Sequence, residues 1–107
     1  MPLPHPLAAA ALLLAVPLAQ AAPGADADAL QQRALAATCA ACHGTDGRPV
    51  AGSAIPPLQG RDRDGVLAAL VAFRDGSRPS TVMQQIARGY TPAQLARLAD
   101  YFAAVPQ

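Results

Sequence analysis

Apolar residues return at helical intervals along most of this chain. Leu95, Leu98, Ala99 and Phe102 stand at i, i+3, i+4 and i+7, which puts them on one face of an α-helix. The helix has a strong start: Thr91 as N-cap, Pro92 at the first helical position and Gln94 completing a capping box. Pro106 closes it. Val66, Leu70 and Phe73 share the face of an earlier helix, with Asp62 or Asp64 as its cap and Asp75-Gly76 near its end. A short helix is expected over Val82–Arg88. Near the front, Asp26 or Asp28 is expected to cap a helix running to about Thr38, with Ala27, Leu30, Ala34 and Ala37 facing inward. Gly44 to Gly60 holds four Gly and three Pro and reads as a loop; so does "GSRPST" (Gly76–Thr81). No segment alternates as a strand does and no repeat is visible, so the fold class is all-α.

One apolar stretch has a different character. Leu7 to Val16 is an uninterrupted run of ten residues ending at Pro17. A bilayer span needs roughly 20. Ala19 and Ala21 then form an A-x-A site. Residues 1–21 are therefore expected to be a cleaved secretory signal peptide, with one domain over 22–107 and a periplasmic location. "MPLPHP" carries no Lys or Arg, which is weak for such a leader, and an uncleaved anchor is the alternative.

Composition narrows the chemistry. Every charged residue lies beyond residue 21: eight Arg, seven Asp, no Lys and no Glu, for a net charge of +1. That balance is no nucleic-acid footprint. A domain this short, with two Phe, two Tyr and no Trp, usually needs a staple beyond its core. A disulfide between Cys39 and Cys42 would close too short a loop to serve.

Those cysteines, with His43, form "CAACH". Three residues apart, they face the same side of a helical turn, and the adjacent imidazole comes next. This is the attachment pattern of a c-type haem: two thioether bonds fix the porphyrin and the imidazole reaches the iron. A structural zinc site wants four ligands, a thioredoxin-like pair wants a preceding strand, and a plain disulfide explains nothing about His43. Counting then points to a sixth ligand. His5 falls in the signal segment, and Met83 is the only methionine beyond it. A thioether opposite a histidine raises the haem potential. Met83 as core filler, with five-coordinate or tyrosine-bound iron, is the other reading. A ligating His usually donates its second ring N–H to a carbonyl or carboxylate, and the rigid "IPPLQG" turn (Ile55–Gly60) can present a carbonyl.

Three segments resemble, in order, the small monohaem class I cytochromes c: "CAACHG", "PPLQG", and "PSTVMQQIARGYTPAQLARLADYF". The resemblance covers roughly Leu30 to Ala103, and the last segment is most similar to the cytochrome subunit of flavocytochrome c sulfide dehydrogenase. It implies one covalent haem c with thioether links at Cys39 and Cys42. His43 and Met83 would be the axial ligands to iron, and the Pro56 carbonyl would hold His43. It implies that the first and last helices cross, with Ala34 or its neighbours against Tyr101 and Phe102. It suggests Arg78 as a propionate partner, and Tyr90 as packing.

The implied function is electron transfer without catalysis, through a haem edge rimmed by Ala40, Ala41 and Ile55. A peroxidase would need an open iron and a distal acid–base residue, and a thiol–disulfide enzyme would need free sulfurs. The expected partner is a flavoprotein that oxidises sulfide. The alternative is a free carrier delivering electrons to a terminal oxidase or reaction centre. The lysine ring that steers many soluble relatives is missing, so long-range steering should be weak unless the arginines cluster.

Overall fold

A computed structural model describes Met1 and residues 24–107. The apolar run Leu7–Val16 and the Ala19-x-Ala21 site lie outside the described residues. The described residues form helices and no strands: α1 (Ala25–Ala37), α2 (Ala40–His43), a 3-10 turn (Thr45–Gly47), α3 (Arg63–Asp75), α4 (Met83–Arg88) and α5 (Pro92–Ala104). No helix among them is long and apolar enough to cross a membrane.

Helix α5 forms where its sequence signals lie. The Thr91 hydroxyl accepts from Gln94 N at 3.2 Å, and Thr91 N donates to Gln94 Oε1 at 2.8 Å. Leu95, Leu98, Ala99 and Phe102 are all buried. Helix α3 is capped by Asp62, whose carboxylate accepts from Gly65 N at 2.7 Å, and it ends on Gly76 in the left-handed region. Val66 is buried, with Leu70 and Phe73 half-buried beside it. Helix α4 begins at Met83, one residue after the expected start.

Helix α1 departs from its expected design in two ways. Its N-cap is Gly24, with no side-chain cap. Asp26 and Asp28 sit inside the first turn, where a carboxylate favours the positive end of the helix dipole instead. The inward face is also different. Of the expected face only Ala27 is half-buried; Leu30 is 68% exposed, Ala34 and Ala37 are exposed, and the other residues turned inward are Gln32, Leu35, Ala36 and, just past the helix, Cys39. A helix rich in alanine has little apolar area to prefer one face, so polar anchors decide. Gln32 Nε2 donates to Arg97 O at 3.1 Å, and Arg97 meets both the carbonyl and the carboxylate of Asp28.

The core sits where α1, α3 and α5 converge. Ala36, Leu95, Leu98 and Phe102 form its centre, and Leu35, Cys39, Leu58, Leu67, Leu70, Tyr90 and Tyr101 pack around it. Helix α4 packs on α3. With Cys39 in this shell, the end of α1 becomes a fixed platform for the cysteine pair and His43.

Candidate haem-attachment site

Helix α1 does not end cleanly. Thr38 and Cys39 keep right-handed helical backbone, and His43 N reaches back to Cys39 O at 3.0 Å. The chain from Cys39 to His43 is thus one helical turn, and the two thiols project from the same side of it. Both are free: Cys42 is exposed and Cys39 half-buried. Burial pushes the Cys39 thiol above its ordinary pKa, with the Thr38 hydroxyl opposing in part. Without strands among the described residues, the thioredoxin-like reading has no βαβ context. Nor do these residues contain a group of three or more His, Cys, Asp or Glu placed to hold a metal ion, so the zinc reading has no ligand set.

His43 is buried, and its Nδ1 lies 2.8 Å from the Pro56 carbonyl oxygen. A carbonyl only accepts, so Nδ1 carries the proton and donates. In the neutral imidazole this fixes the tautomer, and Nε2 is then the nitrogen that can hold a metal. The chain reverses between these residues through Gly44 and Gly47, both at positive φ. The Gly47 carbonyl then accepts from Leu58 N at 2.9 Å, two residues past Pro56. A pair of free thiols on one turn beside a single-tautomer imidazole is a donor set that fits covalent haem.

The other candidate residues lie on separate elements. Met83 opens α4 half-buried, its backbone N held by the Ser80 hydroxyl at 3.1 Å. The Arg78 guanidinium lies over the Phe73 ring, 4.7 Å from its centroid, a cation–π contact. Ile55 and Val82 are 39% and 55% exposed, and Ala41 is exposed on the cysteine turn. Tyr90 packs against the core, as expected, and also makes a polar contact. Thr38 donates to Leu35 O, so the Tyr90 hydroxyl, 2.6 Å away, donates to Thr38. The Asp46 carboxylate and the Tyr101 hydroxyl are 2.5 Å apart. Nothing in the sequence pairs residues 52 and 55 positions apart, so neither bond was foreseeable.

A cytochrome c family model matches residues 29–105. The chain is 44% identical over 68 residues to the cytochrome subunit of sulfide dehydrogenase of Chlorobaculum tepidum, covering 64% of this chain and 60% of that one. It is 40% identical over 72 residues to a thiosulfate dehydrogenase electron acceptor of Stutzerimonas stutzeri, covering 64% and 33%. It is 35% identical over 68 residues to cytochrome c-554(548) of Halomonas halodenitrificans, covering 61% and 81%. The chain therefore matches less than two thirds of the length of the first two relatives. The family match spans the cysteine pair, the prolyl turn and the methionine helix together, and the chain belongs to the cytochrome c family of haem c electron carriers.

Proposed function

We propose that this protein is a periplasmic one-electron carrier that passes electrons from a flavoprotein sulfide dehydrogenase. The observation that carries the haem assignment is the buried His43, tautomerically fixed by Pro56 and set beside two free thiols on one helical turn. Cys39 and Cys42 would attach the haem, and His43 and Met83 would hold its iron. The haem supplies a reversible iron couple. The protein fixes His43 through Pro56 and leaves exposed the apolar side chains of Ile55 and Val82, on which a partner can dock.

The flavoprotein partner is supported by the likeness to the Chlorobaculum subunit and by exposed Ile55, Val82 and Ile86. A stable subunit interface leans on apolar area, whereas a steered encounter leans on charge. Co-purification from the native organism at low and high salt tests it. A flavin-containing protein that stays bound at both, with the cytochrome beginning at Ala22, is the expected result. A second reading, a free carrier, is supported by the likeness to the Halomonas protein, named simply a cytochrome c-554(548) and matched over 81% of its length. A lone cytochrome at both salts, indifferent to sulfide, would select it.

Met83→His tests the distal ligand. A nitrogen donor favours ferric iron more than a thioether does, so the variant is expected to keep its covalent haem and show a lower midpoint potential. An unchanged potential and spectrum would return Met83 to core filler.

A further inference from the structure

The loop that carries the prolyl turn is moored to the far end of α5 at four points. The Tyr101 hydroxyl donates to Asp46 Oδ1 at 2.5 Å, and Arg48 Nη2 donates to Pro106 O at 2.6 Å. Gly60 N donates to Phe102 O at 2.8 Å, and Gln107 Nε2 to Gly60 O at 3.1 Å. Asp46 is three residues past His43. It is also the only non-glycine residue with positive φ among the described residues, at 54°. Aspartate tolerates that region better than most residues but does not prefer it. The carbonyl of the next residue, Gly47, accepts from Leu58 N. Displacing Asp46 therefore displaces the backbone on both sides of the His43–Pro56 bond.

We propose that Tyr101, acting through Asp46, is a positioning residue that sets the His43–Pro56 hydrogen bond and thereby the haem potential. This rests on His43 being the iron ligand. An acceptor on the far ring nitrogen makes a ligating imidazole a stronger donor to the metal, which favours the ferric state. Releasing the mooring lengthens the Nδ1–H···O contact, weakens that donation and raises the potential. The direct ion pair between Arg48 and Asp46 is loose, at 3.8 Å with both side chains partly exposed, and contributes little. The phenol bond is the short, directional one. The Asp46 carboxylate also holds the Tyr101 phenol above its usual pKa, so the donor stays protonated at neutral pH.

The test uses the haem-loaded protein and two readouts: midpoint potential, and exchange of the His43 ring N–H seen by NMR. Tyr101→Phe is expected to raise the potential and speed that exchange about tenfold, the effect of losing one hydrogen bond. Asp46→Asn keeps a side-chain acceptor and a tolerance for positive φ, so it should stay near the parent in both. Asp46→Ala should behave as Tyr101→Phe does, and it decides the matter if the tyrosine variant fails to fold. Gln32→Ala is the control, because the Gln32 hydrogen bond ties α1 to Arg97 of α5 and not to the loop. It should lower stability and leave both readouts in place. Tyr101→Phe without a shift, or Gln32→Ala with the same shift, would overturn the proposal. A parent protein whose His43 resonances show no iron-induced displacement would remove its premise, a result separable from the other two.

Discussion

The double variant Cys39→Ala/Cys42→Ala is expected to lack covalent haem and to lose most of its helical signal. Only seven hydrophobic residues are buried among those described: Ala36, Val66, Ala87, Leu95, Leu98, Ala99 and Phe102. Three of the seven are alanines, whose burial contributes little. Beyond Met1, six longer apolar side chains, Leu30, Val50, Ile55, Val71, Val82 and Ile86, are instead more than a third exposed. Ordering the backbone costs about 1–2 kcal/mol per residue, and this core is thin against that. A cofactor bound to the folded chain and not to the random one shifts the balance toward folding. Far-UV circular dichroism, with a pyridine haemochrome spectrum after acid–acetone extraction, checks both halves. A cooperative helical transition in the haem-free variant would show that the polypeptide core suffices alone.

Gly47→Ala carries the second large effect. Gly47 is buried, at φ +74°, and an added Cβ would stand 2.7 Å from Leu58 Cβ, 2.9 Å from Gln59 N and 3.0 Å from Phe102 Cδ1. Two of those neighbours belong to the packed core and the third is backbone, so none can yield cheaply. Conformational strain costs about 1–2 kcal/mol and overpacking about 1–3 kcal/mol more, so a total near ~3 kcal/mol is expected. Gly52 is the internal comparison. It has φ +81° but nothing within 4 Å of the added atom, so Gly52→Ala should show the strain alone. Urea denaturation of the two haem-loaded variants measures the difference. Equal losses would mean that backbone strain, not close packing, governs both sites.

The contrast between local and long-range contacts also explains what could be read from the sequence. Helix α5 was legible because large side chains and local caps agree: Leu95, Leu98 and Phe102 outweigh any other face, and the Thr91 box closes within three residues. Helix α3 was legible for the same reasons. The face of α1 was not, because alanines supply a period without supplying area. The "CAACH" turn was legible since its chemistry is written in consecutive residues, and the turn that presents the Pro56 carbonyl since prolines announce it. The Thr38–Tyr90 and Asp46–Tyr101 bonds were hidden, because they depend on where helices cross. Arg78 and Phe73 are only five residues apart, but their contact depends on how the chain turns at Gly76. A charge in a loop shows in the sequence, but its partner is chosen by that turn.

Helix α5 supplies four of the seven hydrophobic residues buried among those described, and it follows the cysteines and every other described helix. Synthesis therefore delivers the cysteines long before the side chains that would enclose them. A nascent chain ending before Pro92 retains only Ala36, Val66 and Ala87 of that core, too little to close around anything. The order of the sequence thus keeps a window in which Cys39, Cys42 and His43 are reachable by whatever machinery handles them. Docking of α5 against α1, through contacts 65 and 69 residues apart in the chain, closes that window only once the bound cofactor has shifted the balance toward folding.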